Sequence, residues 1–267
     1  METSTLEILH KLVAFPSVCV SDRYTDIADF SLNRLRTAGA TCYRLPDPTN
    51  TRAGIFASIG PNVPGGVLLS AHLDVVPVNY QDWTSDPFSL EERQGRFYGR
   101  GTCDMKGFAA AAIAAIERAS QTDLKRPLKI ALSYDEEIAC VGIGNMIGEL
   151  GSTIGLPESV IVGEPTSMRV VTGHKGKSAY RVTFNGEAGH SSDAPKYVNA
   201  LHLAADFIGV LRSTQAELVD RGKRDEAYGT AHSTVHAGIL SGGQALNIVP
   251  DQAILDFEIR FLPEERA

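Results

Sequence analysis

Four short stretches carry the acids and the histidine from which a chain could assemble a divalent-cation site. They are His72-Leu73-Asp74, Asp104 behind the glycines at 99 and 101, Asp135-Glu136-Glu137, and Glu164 in Gly163-Glu164-Pro165. Each sits just past the carboxyl end of a predicted strand, where ligand sites of open α/β sheets gather. His72 and Asp74 are two residues apart and share a face if the strand geometry continues through them. A metal-binding histidine commonly donates its second ring N–H to a carboxylate, and Asp74 is placed for that role. Three consecutive acids at a buried strand's end repel one another unless solvated or bound to cations, and a carboxylate beside a ligand can serve as general base. One histidine with several carboxylates suits an ion of intermediate softness such as zinc, cobalt or manganese.

Taken singly, each stretch has an ordinary explanation. His72 reads as a strand-end histidine with a solvated neighbour, Asp104 as a helix N-cap, and residues 135–137 as an exposed acidic turn. Four of them at one edge of one sheet outweigh those explanations. The glycine-rich Gly142-Ile143-Gly144-Asn145-Met146-Ile147-Gly148 misses the GxGxxG spacing, and the acids before it oppose a pyrophosphate, so a dinucleotide site is rejected.

The elements that must position these residues follow from the apolar pattern. Strands are expected at residues 54–59, 67–71, 128–133 and 159–162, and helices at 4–15, 24–38, 105–119 and 141–150. That alternation predicts an α/β fold, a mainly parallel sheet flanked by helices. The strands at 128–132 and 160–162 are short and bounded by turn residues, as buried strands are. After residue 175 the order becomes strand (178–186), helix (198–218), strand (234–240), strand (254–262), the first part of a ferredoxin-like α+β unit that would still need a helix and a strand. The expected domains are therefore 1–176 and 177–267, the second incomplete.

Composition limits the function classes. The 267 residues are 43% hydrophobic and 21% charged, an ordinary globular balance. A net charge of -7 argues against a nucleic-acid partner, which needs a basic face. Cys19, Cys42, Cys103 and Cys140 form no CxxC pair, so neither a disulfide framework nor a zinc knuckle is expected, and the natural compartment is a reduced, cytoplasmic one. The first residues lack a signal peptide's basic start and apolar core, and no apolar run approaches the ~20 residues of a membrane span.

The four stretches in this order, with Gly189-His190-Ser191-Ser192 further on, resemble the signature of the M20 metallopeptidase/deacylase family, and the resemblance covers the whole chain. The wording Gly-Thr-Cys-Asp-Met-Lys-Gly-Phe at 101–108, Gly163-Glu164-Pro165-Thr166 and Gly173-His174-Lys175-Gly176 is most similar to members that release acetate from N-acetylornithine. The resemblance implies a zinc-peptidase-like catalytic domain with an inserted ferredoxin-like lid. It implies two divalent ions, Zn2+ or Co2+, with His72 and Glu164 holding one, Asp104 bridging both and Glu137 holding the other. Glu136 becomes the general base and Asp74 the residue orienting His72. His190 reaches the reacting carbonyl from the lid, in relatives usually from the other subunit of a homodimer. Asn247 and Arg260 grip the substrate carboxylate, a task that suits arginine's two-pronged fork.

The implied reaction is hydrolysis of the amide of an N-acyl amino acid, first of all N-acetylornithine to ornithine and acetate in arginine biosynthesis. Relatives complete the second ion's shell with a histidine near the C-terminus. The histidines here are His10, His72, His174, His190, His202, His232 and His236. The resemblance thus implies a chain ending inside its lid domain, without the returning part of the catalytic domain, and with little activity by itself. His174, near the domain junction, is read as structural rather than as a substitute ligand. Rival readings are a succinyl-diaminopimelate desuccinylase, a carboxypeptidase or an aminoacylase using the same metals, and, from another class, a truncated, inactive metal-binding or regulatory protein.

Overall fold

A computed structural model describes residues 3–21, 23–79 and 81–265. The chain divides into two units between Met168 and Arg169, eight residues before the boundary expected from the sequence.

In the first unit, α1 (Thr3–Ala14) buries Ile8, Leu9, Leu12 and Val13, the i, i+1, i+4, i+5 spacing that puts one face inward. Helix α2 (Asp26–Thr37) does the same with Ile27, Ala28, Leu32 and Leu35. Then come β1 (Thr41–Pro46), β2 (Ala53–Ile59) and β3 (Val67–His72), followed by a small hairpin of β4 (Glu91–Arg93) and β5 (Arg96–Tyr98). Helix α3 (Lys106–Ala119) is alanine-rich and buries residues on nearly all sides, because it is covered by the sheet and by α1 and α2. Full burial of Ile113 and Ile116 there stabilises the fold by about 1.5–3 kcal/mol each. Strand β6 (Leu128–Ser133) is followed by α4 (Val141–Met146), a 3-10 turn, α5 (Leu150–Thr153) and β7 (Ser159–Val162).

Among the described residues five strands form one sheet in the order β1-β2-β6-β3-β7. It is mixed: β1 with β2 and β2 with β6 run antiparallel, whereas β6, β3 and β7 run parallel. The α/β reading holds, and the parallel part is the part that carries the acids. Strand β1 was not expected from the sequence; the short link from Pro46 to Ala53 makes it the antiparallel neighbour of β2. Strand β7 departs from expectation in burial. All four of its residues are exposed, whereas β1 at the opposite end of the sheet is mostly half-buried.

The second unit holds β8 (Gly176–Asn185), β9 (Gly189–His190), α6 (Ala200–Arg221), β10 (Thr234–Gly242), β11 (Ile248–Val249) and β12 (Gln252–Phe261). Strands β10, β12 and β8 form an antiparallel sheet in that order, and α6 packs on it through Ala200 and Ala204 against Ala253 and Phe184. Asn199 caps α6 by accepting the N–H groups of Leu201 and His202. Among the described residues no helix is long and apolar enough to cross a membrane.

Candidate metal centre

Three neighbouring parallel strands deliver the site. Register pairs His72 of β3 with Ser133 of β6 and Ser70 of β3 with Val162 of β7, so His72, residues 135–137 and Glu164 all emerge at one sheet edge. Beyond β3 the chain stays extended: Val75 N–H donates to Ser17 O (2.9 Å) and Cys19 N–H to Val75 O (3.0 Å). The condition on which His72 and Asp74 share a face is therefore met.

His72 is 2% exposed. Its Nδ1 lies 2.9 Å from the carbonyl oxygen of Asp74 and 3.5 Å from the Asp74 carboxylate. A carbonyl only accepts, so Nδ1 carries a hydrogen and Nε2 is left facing Asp104 Oδ1 at 3.0 Å and Glu164 Oε1 at 4.0 Å. A lone pair aimed at two carboxylates requires a cation or a proton between them. Burial alone lowers the His72 pKa, but the carboxylates of Asp104 and Asp74 outweigh it and bring it up to about 10. Asp104 is held below its usual range, chiefly by His72.

Asp104 does not cap α3, which starts from Met105 without a side-chain cap. Its loop turns on Gly101 at φ 85°, where a Cβ would stand 2.9 Å from both Val75 Cγ1 and Lys106 Cδ. Lys106 is wholly buried and donates from Nζ to Phe15 O at 2.8 Å. Burial pushes its pKa down to about 7 against the opposing charge of Asp74.

Asp74 is wholly buried and does more than the sequence foretold. One carboxylate oxygen accepts Glu136 N–H and the other Glu137 N–H, both at 3.1 Å. Its contact to His72 runs mainly through its carbonyl. Ligand atoms of His72, Asp104 and Glu137 all lie within 4.8 Å of one another, as do those of His72, Glu136 and Glu164. Burial and then the Asp104 charge push Glu137 up to about 7, and burial raises Glu164 as well. Carboxylates forced toward their neutral form by burial and then by one another are the donor set that divalent cations relieve, so the residues fit such ions. Cys140 Sγ donates to Glu136 Oε1 at 3.2 Å, and burial followed by that bond pushes the thiol up to about 11.

The remaining expected residues belong to the second unit. His190 is exposed; Ser192 N–H donates to its Nδ1 at 3.2 Å, with Ser192 Oγ 2.8 Å away. In the neutral ring the hydrogen is therefore on Nε2. Asn247 lies beside this turn, its carbonyl accepting Ser191 N–H at 3.0 Å. Arg260, on β12, is occupied by Glu258 of its own strand at 2.9 Å. His174 is exposed, with Nδ1 2.9 Å from the carbonyl of Lys175.

The model of "Peptidase family M20/M25/M40" matches residues 68–261. The chain belongs to this family. Two acetylornithine deacetylases are similar along 97% of the chain: that of Proteus mirabilis (strain HI4320) at 35% identity and that of Shigella sonnei (strain Ss046) at 36%. The chain spans 67% and 68% of their lengths. Among solved structures, an M20 family metallo-carboxypeptidase from Sulfolobus solfataricus superposes with a TM-score of 0.81 at 21% identity, covering 99% of this chain and 72% of that one. A Bacillus subtilis M20 protein described as a dinuclear metal binding peptidase gives 0.56 at 19% identity, covering 97% and 64%. These likenesses establish the M20 fold and a metal-dependent hydrolase family.

Two polar residues of this M20 chain escaped the sequence reading. Tyr24 and Arg52 both bind Asp135, which belongs to neither group of ligand atoms. They lie 111 and 83 residues from it, so no local spacing announces them.

Proposed function

We propose that this chain forms the metal centre of an amidohydrolase acting on N-acyl amino acids, with N-acetylornithine as the preferred substrate. The observation that carries the chemistry is the His72–Asp104–Glu137–Glu164 cluster with Glu136 at its side. The 35–36% identity to acetylornithine deacetylases favours that substrate over the desuccinylase, carboxypeptidase and aminoacylase readings.

His72, Asp104, Glu137 and Glu164 would hold two divalent ions, zinc or cobalt. Such ions, when bound, polarise a carbonyl and lower the pKa of water. Glu136 takes a proton from the attacking water and returns it to the departing amine nitrogen. Asp74, through the two N–H groups it accepts, keeps Glu136 and Glu137 at fixed offsets from His72. His190, with Nδ1 engaged by Ser192, offers its Nε2–H to the oxygen that gains negative charge. Asn247 and Arg260 are assigned to the substrate carboxylate, which must displace Glu258 from Arg260. A homodimer through the second unit is part of this reading, supported by the exposed Ile239 and Leu240 on the outer strand β10.

A panel of N-acetylornithine, N-succinyl-diaminopimelate, N-acetylmethionine and dipeptides, each with Zn2+ or Co2+, tests the assignment. Whatever the absolute rate, N-acetylornithine is expected to rank first by at least about tenfold, roughly 1.4 kcal/mol of discrimination. A dipeptide or the succinyl substrate ranking first would overturn it.

A further inference from the structure

The two acids assigned to the centre, Glu136 and Glu137, are consecutive, yet both reach the donors around His72. In a strand, consecutive side chains point to opposite faces, so β6 could not deliver both by running on. It stops at Ser133, and the chain turns at Asp135, whose φ is 51°. Among non-glycine residues, aspartate and asparagine enter that left-handed region most readily, but they stay there only when the surroundings determine it.

At Asp135 every polar group is held. The Tyr24 hydroxyl donates to its carboxylate in a short hydrogen bond and accepts its N–H at 3.0 Å. Val141 N–H donates to its carbonyl at 3.0 Å. Arg52 Nε lies 2.9 Å from the carboxylate, while Nη2 donates to Ser21 O at 2.7 Å and the guanidinium lies 5.1 Å from the centre of the Tyr24 ring. Tyr24 and Asp135 are both buried. The next two amides are then taken by the Asp74 carboxylate. Three successive N–H groups are thus caught by two side chains on either side of the bend. The third acid of the run is paired to a cation away from the donor cluster.

We propose that Tyr24 and Arg52 are positioning residues of the metal centre: they fix Asp135 in its left-handed turn and hold its carboxylate out of the cluster, so that Glu136 and Glu137 are the acids presented to the ions. The proposal rests on the reading of that cluster as a metal centre. Without the Tyr24 hydroxyl, Asp135 loses both a donor to its carboxylate and the acceptor for its N–H. Without Arg52, its charge is uncompensated beside an already acidic group and competes as a ligand.

The test is equilibrium dialysis of the purified chain and its variants against Zn2+ and Co2+, with far-UV circular dichroism and thermal unfolding recorded alongside. Tyr24→Phe and Arg52→Met are expected to keep the wild-type spectrum and to weaken binding of at least one ion by roughly 10–100-fold, the range for groups that orient ligands. Arg52→Lys, which keeps the charge but not the fork, is expected to fall between Arg52→Met and the wild type. Ile116→Val, in the core of α3, lowers the unfolding temperature without changing ion affinity and so separates aim from stability. Wild-type affinity in both Tyr24→Phe and Arg52→Met would overturn the proposal, as would equal affinity in Arg52→Lys and Arg52→Met. Unfolding of all three variants would overturn it too, since the network would then hold the fold rather than the acids. A wild-type chain that binds no divalent ion would instead overturn the metal-centre reading itself.

Discussion

Replacing Asp74 by asparagine changes one oxygen to an NH2 group at a wholly buried position where both oxygens accept backbone N–H groups at 3.1 Å. In Asp74→Asn one of the two amides, Glu136 or Glu137, keeps an acceptor and the other meets a donor. A buried donor left without a partner costs about 1–3 kcal/mol, and turning the surviving bond from charged to neutral costs roughly 1 kcal/mol more. The Asp74 charge also acts in opposite senses in the metal-free protein, raising Glu137 and Glu164 but helping to hold the proton on His72. The net loss is about 2–3 kcal/mol. For a unit of this size that is an unfolding midpoint lower by roughly 4–12 °C. Scanning calorimetry with and without saturating Zn2+ reads it directly. The drop is expected in both conditions, since the two N–H groups need their acceptors with or without cations. An Asp74→Asn protein that unfolds within a degree of wild type in both conditions would refute the reasoning, because the two hydrogen bonds would then carry no net stabilisation.

Proton release gives an independent check on the same cluster. The folded, metal-free chain holds a proton on His72 up to about pH 10 and one on Glu137 up to about pH 7, above that acid's ordinary 4.5. The Glu137 contribution to stability is therefore present below 4.5 and lost as pH rises to 7; the His72 contribution is present below 6.5 and lost as pH rises through 10. Metal uptake should expel about two protons at pH 6 and about one at pH 8.5, with affinity rising alongside, as calorimetry in buffers of different ionisation enthalpy would measure. In a form that carries the returning part of the catalytic domain, Glu136→Ala should abolish turnover while ion content stays near wild type, and Glu137→Ala should lose an ion; metal analysis giving the reverse pattern would exchange the two roles. In that same form His190→Ala should cost about 10²–10³ in kcat with ion affinity unchanged, and a loss of ions on that substitution would contradict its assignment to the oxyanion.

Much of the site was legible because strand ends are legible. The apolar runs at Leu128–Ser133 and Ser159–Val162 stop where their strands stop, and parallel register then fixes which acids meet. His72 and Asp104 also meet as expected, although they are 32 positions apart and a hairpin that no short-range pattern required lies between them. What stayed hidden depends on long-range pairing. The exposure of β7 is not encoded in its own valine-rich sequence, which reads as that of a buried strand. Asp74 was expected to grip a ring; it lies against that ring and also grips two amides, a role that exists only once β3 and β6 lie side by side. Tyr24 and Arg52 read as ordinary residues of a helix start and a strand approach until the bend at Asp135 gives them a common partner.

The central claim is that His72, Asp104, Glu137 and Glu164 hold two divalent ions between them. Anomalous scattering at the zinc edge from crystals grown with Zn2+ tests it most directly. Two peaks are expected about 3.5–4 Å apart, each within bonding distance of at least two of these four side chains and with Asp104 between them. Peaks elsewhere, or density at this sheet edge with no anomalous signal, would contradict it.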